Sequence, residues 1–243
     1  MRMNRILTIK SPSAALPIVL PNCRVFLDFD NTITTSDVLD DIIQRFSIND
    51  HWTVLEKAWQ EEQIGTKECL EGQLRNVRVT KKELFDFLKT VEIDPYFYRL
   101  LILLNKEGIP PVVLSDNFSC IVKHILECHG IKDVKVYANT LRFHHQRLTP
   151  SFPYDNPFCP SCAHCKKIHL TGEKQEDKLI VYVGDGRSDL CPARVADVVF
   201  AKGSLLQCLR KEDKECILYK NLKDVYHYFE EMSHHGRQNC SNT

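Results

Sequence analysis

Asp28 and Asp30 flank Phe29 directly after the apolar run Val25-Phe26-Leu27. In extended backbone, residues i and i+2 project to the same side, so both carboxylates are expected to leave the end of a strand together. Two carboxylates so placed repel each other unless a cation joins them or one keeps a proton. Either outcome suits phosphoryl transfer, in which one carboxylate attacks phosphorus and its neighbour carries a proton to the leaving oxygen. An Asp-x-Asp pair alone reads equally well as a solvated acidic turn capping a helix.

Two further strand ends narrow the choice. Ser115 follows Val112-Val113-Leu114 and precedes Asp116, Asn117 and a helical pattern. Its hydroxyl and nearby backbone N–H groups suit a phosphate oxygen at a helix N-terminus; an ordinary N-cap is the plain alternative. Gly184-Asp185-Gly186-Arg187-Ser188-Asp189 follows the run Leu179–Val183. Gly184 and Gly186 permit a tight turn and close approach to a ligand, and Asp185 and Asp189 add carboxylates. Mg²⁺ takes oxygen ligands and keeps several waters, so Asp28, Asp185 and one backbone carbonyl would hold a single ion. A polar turn with an N-cap is the bland reading here. Positive charge at the transferring group is also required, and the candidates are Lys166, then Lys167, then Lys178.

The elements that must position these residues follow from apolar runs with helical patterns between them. Strands are expected at Val25–Leu27, Val112–Leu114, Val134–Tyr137, Leu179–Val183 and Val198–Phe200, which implies an α/β fold with a doubly wound parallel sheet. The stretch after Ser36 lacks a clear strand. It carries helical stripes at Val38, Leu39, Ile42, Ile43 and Phe46, at Trp52, Leu55 and Trp59, at Cys69, Leu70 and Leu74, and at Leu84, Phe87, Leu88 and Val91. Asp37 or Ser36 is the expected cap of the first, and the aromatics are expected to form the core of this insertion. The expected organisation is a core over 1–36 and 105–232, a helical insertion over 37–104, and a polar, frayed tail over 233–243.

The chain has 243 residues and a formal net charge of zero, so no global field favours nucleic acid or an anionic membrane. Eleven cysteines at irregular spacing read as mostly free thiols in a reducing, cytoplasmic compartment. The first twenty residues are interrupted by Lys10, Pro12 and Pro17, which makes a poor signal peptide and no membrane span. Cys159, Cys162 and Cys165 have spacings that zinc could use with His164, His169 or Cys191, but no second clear pair follows. Free thiols in a packed turn are the preferred reading.

Taken together, Asp28-Phe29-Asp30-Asn31-Thr32, Ser115, Lys166 and Gly184 to Asp189 resemble the four motifs of the haloacid dehalogenase superfamily, over about Arg24 to Ala201. The insertion resembles the type-one cap of its phosphoserine-phosphatase-like branch. Cys159 to Lys166 resembles a cysteine-rich stretch in the group of methylthiopentenyl-phosphate, phosphocholine/phosphoethanolamine and thiamine-monophosphate phosphatases. The resemblance implies a Rossmann-like core and a Mg²⁺-dependent phosphomonoesterase, with one ion per site, acting on a small phosphorylated metabolite through an aspartyl-phosphate. It implies Asp28 as nucleophile and Asp30 as general acid and later base. The metal would be held by the Asp28 and Asp185 carboxylates and the Asp30 carbonyl, with Asp189 orienting its water shell. Ser115, with Asp116 and Asn117 beside it, and Lys166 would meet the phosphoryl group. Asp116-Asn117 stands where some relatives carry glycines. A phosphoprotein phosphatase on the same scaffold and a non-catalytic zinc-containing binding protein are the competing readings.

Overall fold

The structure, a computed structural model, describes residues 20, 22–159, 162–175 and 177–240, with the backbone alone at 235–240. The leader read as a poor signal peptide lies, over residues 1–19, outside the described residues. In chain order the elements are β1 (Cys23–Leu27), α1 (Val38–Phe46), α2 (His51–Gln60), α3 (Thr66–Leu74), α4 (Lys81–Leu88), α5 (Pro95–Lys106), β2 (Val112–Phe118), α6 (Ser119–Cys128), β3 (Lys135–His144), β4 (Arg147–Ser151), α7 (Lys166–Glu173), β5 (Leu179–Gly184), α8 (Leu190–Val195), β6 (Val198–Ala201), α9 (Gly203–Lys211), β7 (Ile217–Leu218) and α10 (Leu222–Cys240). The chain divides into two compact units, one of Met1–Asp28, Asp94–Pro111 and Lys167–Thr243, the other of Phe29–Ile93 and Val112–Lys166.

In the first unit β1, β5, β6 and β7 lie side by side in that order, all parallel. Parallel strands buried on both faces read as continuous apolar runs. Ile180, Val181, Tyr182 and Val183 are all buried, and each aliphatic side chain so buried contributes about 2 kcal/mol. The register sets Leu27 opposite Val183 and Gly184 opposite Ala201. The residues just beyond these strands, Asp28, Asp185 and Lys202, therefore emerge at one carboxyl edge. Helices α5 and α10 pack together. Asp94 ties both ends down: Oδ1 accepts from the Tyr96 N–H at 2.8 Å and Oδ2 from the Leu222 N–H at 2.9 Å. α10 runs on to Cys240, through the stretch expected as a tail, and Ser233 is buried with its hydroxyl donating to Glu107 at 2.7 Å.

In the second unit β2 pairs parallel to β3, and β3 pairs antiparallel to β4. The third expected strand is longer than its apolar run, and β4 was not expected at all. Its Pro150 argues against a strand except at an edge, and β4 pairs only with β3 among the described residues. Helices α1 to α4 match the four expected stripes. Asp37 caps α1 by accepting from the Asp40 N–H at 3.0 Å, and Thr80 opens α4 with a capping box to Glu83. One expectation is corrected: no residue of α2 is buried, so Trp52 and Trp59 do not form the core of this region. α2 packs on α3, where Gly72 leaves room for Leu55; a Cβ there would meet Leu55 Cδ1 at 2.7 Å. Among the described residues no helix is long and apolar enough to cross a membrane, and ten cysteines are free thiols.

Candidate active site

In the first unit the strand ends gather three carboxylates. The Asp28 N–H donates to the Val183 carbonyl at 2.9 Å, one rung beyond β1. Asp28, Asp185 and Asp189 each offer an oxygen, and the three oxygens lie within 4.8 Å of one another. Such a set of hard oxygen donors fits a small divalent cation such as Mg²⁺. Asp189 is fully buried and bonded within its own turn. Its Oδ1 accepts from the Tyr182 hydroxyl at 2.6 Å, and Oδ2 accepts from the Asp185 and Gly186 N–H groups at 3.0 Å each. That bonding holds the Asp185 loop in shape.

The two glycines differ. A Cβ on Gly184 would meet Asp189 Oδ2 at 2.5 Å and Tyr182 Cε1 at 2.9 Å, so only glycine admits the buried carboxylate. A Cβ on Gly186 would find nothing closer than 3.8 Å, and its φ of −97° is open to any residue. Lys202, absent from the sequence candidates, follows β6 at this edge. Burial lowers its pKa, while the charges of Asp185, Asp94 and Asp28 oppose that shift, and its Nζ lies 5.0 Å from the centre of the Tyr219 ring. The rule that points to strand carboxyl ends would have found it.

In the second unit the segment after Asp28 turns sharply. The Phe29 carbonyl accepts from the N–H groups of Thr32, Ile33 and Thr34, and Asn31 takes φ of 54°, a conformation asparagine tolerates better than most residues. Asp30 is thereby set among donors. Oδ1 accepts from the Val38 N–H at 3.1 Å and the Asn117 side-chain amide at 3.1 Å, and the Ser115 hydroxyl lies 3.3 Å from Oδ2. Burial, and then the charge of Asp37, raise the Asp30 pKa well above the ordinary carboxylate range, against the pull of Asn117, Val38 and Lys166. Although part of its surface remains open, the surrounding atoms favour the protonated acid.

Ser115, Asp116, Asn117, His164 and Lys166 form one connected group. Ser115 is fully buried and lies inside β2, with a register irregularity after it. The cap of α6 is Phe118, so Ser115 is no helix cap. Its Oγ accepts from the Asn117 N–H at 3.0 Å. Asp116 Oδ1 accepts from the His164 N–H at 3.1 Å, and the Asn139 amide donates to the Asp116 carbonyl at 2.6 Å. Lys166 is 1% exposed, and its Nζ faces Asp116 Oδ2 at 3.5 Å, an oxygen with no hydrogen-bond donor. Lys167 is exposed, and Lys178 stands just before β5. Burial lowers the His164 pKa, against the charge of Asp116; because a carbonyl oxygen only accepts, Nδ1–H donates to the Ser115 carbonyl at 2.8 Å. The cysteine-rich stretch places the Cys159 and Cys162 sulfurs 3.3 Å apart, while Cys165 Sγ accepts from the Asn156 amide at 3.6 Å.

With this geometry in hand, comparison with known proteins is decisive. The family model described as Putative Phosphatase matches residues 23–218. The chain belongs to that family. It is a phosphatase of the haloacid dehalogenase superfamily, in the group resembling methylthiopentenyl-phosphate phosphatases. The bifunctional enzyme MtnB/MtnX of Bacillus licheniformis is 26% identical over 214 residues, 86% of this chain and 49% of the relative, so the chain spans about half of that protein. A 2-hydroxy-3-keto-5-methylthiopentenyl-1-phosphate phosphatase of Bacillus pumilus is 29% identical over 187 residues, 75% of this chain and 80% of the relative. Among solved structures, the phospho-aspartyl intermediate analogue of phosphoserine phosphatase aligns with a TM-score of 0.63 at 20% identity, covering 85% of this chain and 98% of that one. The last likeness bears on the fold alone, and it bears out the doubly wound α/β architecture expected from the alternating runs.

Proposed function

We propose that this phosphatase is a Mg²⁺-dependent phosphomonoesterase acting on a small phosphorylated metabolite through an aspartyl-phosphate on Asp28. The observation that carries the reading is the convergence of Asp28, Asp185 and Asp189 within 4.8 Å in a chain of a phosphatase family. Bound there, Mg²⁺ would be held by Asp28 and Asp185 with the Asp30 carbonyl, and it would balance phosphate charge. Asp189 shapes the loop that presents Asp185.

The remaining chemistry belongs to the side chains. An Asp28 oxygen attacks phosphorus and the bond to the leaving oxygen breaks; Asp30, whose pKa burial raises, gives that oxygen its proton. Asp30, now a carboxylate, then takes a proton from water as the water oxygen attacks phosphorus and releases phosphate from Asp28. Ser115, with Asp116 and Asn117 beside it, and Lys166 hold the phosphoryl oxygens. Support for Lys166 over Lys167 comes from its burial and its pairing with Asp116.

The helical stretch over 37–104 acts in this reading as a cap that selects small substrates. The names of the bacterial relatives support a small phosphate ester rather than a phosphoprotein, and no nucleic acid or membrane is required. Free thiols suit a reducing, cytoplasmic setting. The test is a panel of phosphometabolites and phosphopeptides, assayed with Mg²⁺ and with chelator. Turnover of small esters that chelation abolishes is expected; phosphopeptides turned over in preference, or activity indifferent to chelator, would refute the reading.

A further inference from the structure

We propose that the cavity at the tip of the β3–β4 hairpin is a second anion site, taking a small polyanion with two or more phosphate groups. This open cleft has a volume of about 610 Å³ and is lined by Arg78, Thr80, His144, His145, Gln146 and Arg147, a size usual for small-molecule sites. The lining holds two guanidinium groups, two imidazoles and no acid, in a chain whose formal net charge is zero.

The backbone sets these groups together. His144 and Arg147 are direct cross-strand partners, so their Cβ atoms stand about 5 Å apart on one face of the hairpin. Arg147 forms no ion pair among the described residues, which leaves its guanidinium to meet a bound anion. Arg78 is already oriented: its Nη1 donates to the carbonyls of Arg75 at 2.7 Å and Val77 at 2.8 Å, leaving the rest of its planar fork to meet phosphate oxygens. The Val79 N–H donates to the Gln146 carbonyl at 3.0 Å, which fastens the Arg78 segment to the hairpin tip. Thr80 contributes shape more than bonding, because Glu83 accepts from both its N–H and its hydroxyl. The site shares no residue with the Asp30 and Ser115 group. Asn139, which touches Asp116, stands on β3 roughly 17 Å from His144 at the usual strand rise.

The test is calorimetric titration of the full chain with inorganic triphosphate in the presence of chelator. One binding event per chain is expected, weakening with added salt. Arg78→Gln or Arg147→Gln should each weaken it about tenfold or more, Arg147→Lys should retain part of it, and Arg78→Gln with Arg147→Gln should abolish it. Hydrolysis of p-nitrophenyl phosphate by the double variant should match the unaltered chain, which also reports on its folding. Triphosphate bound equally well by the double variant, or no binding to the unaltered chain, would overturn the proposal.

Discussion

The Tyr182 hydroxyl donates to Asp189 Oδ1 at 2.6 Å, joining the middle of β5 to the turn that follows it. Both groups are fully buried. Tyr182→Phe should cost about 1–3 kcal/mol, the usual penalty for leaving a buried acceptor short of a donor. Gly184→Ala should cost more, because its Cβ would stand 2.5 Å from Asp189 Oδ2. Urea unfolding checks the order. Calorimetric Mg²⁺ titration of Tyr182→Phe should show affinity about tenfold or more weaker, as for residues that orient metal ligands.

Lys166, which is buried, pairs with the partly exposed Asp116 at 3.5 Å. Breaking a fully buried pair typically costs about 3–5 kcal/mol, and the partial exposure of Asp116 sets that as an upper bound here. Lys166→Met should therefore destabilise strongly, while Lys166→Met combined with Asp116→Asn should recover much of the loss. A double-mutant cycle by chemical denaturation measures the coupling. Additive losses would show that the two charges do not depend on each other.

Asp40 gives a pH signature. Burial, then the charges of Asp37, Glu56 and Asp41, raise its pKa to about 7. An acid whose pKa is higher in the folded chain stabilises the fold fully below its unfolded value, near 4, and that contribution disappears as pH rises through about 7. Melting temperatures of the unaltered chain and Asp40→Asn should thus diverge between pH 5 and pH 8, with the variant gaining relative stability at the higher pH.

Asp94 caps α5 and meets the start of α10 with its two carboxylate oxygens. Asp94→Ala removes both acceptors and should cost about 1–3 kcal/mol. Asp94→Asn, which keeps one acceptor, should cost less. Thermal unfolding separates the two.

What was legible in the sequence follows from how local each signal is. Asp28 and Asp185 each follow an unbroken apolar run, and a parallel strand with an acid at its carboxyl end needs no distant information to be recognised. Helices α1 to α4 were equally plain from their stripes, whereas α5 (Pro95–Lys106) went unread. Trp52 and Trp59 misled because a stripe records which face is apolar, not whether anything covers it; α2 has only partial cover. Ser115 looked like a helix cap because the apolar run stops at Leu114, yet pairing with β3 carries the strand on to Phe118. β4 was hidden by Pro150 and by a His145-Gln146 turn that lacks the usual glycine; His145 takes φ of 54° there. The links of His164 and Asn139 to Ser115 and Asp116 join residues tens of positions apart, and no spacing rule announces them.

Phosphate release by Asp28→Asn, with Mg²⁺ and a turned-over small ester, reports directly on Asp28 as the nucleophile. Asparagine keeps the size of the side chain at a position that is 6% exposed, so circular dichroism should match the unaltered chain while turnover falls at least about a thousandfold. A correctly folded Asp28→Asn variant that releases phosphate at the unaltered rate would show that Asp28 is not the nucleophile.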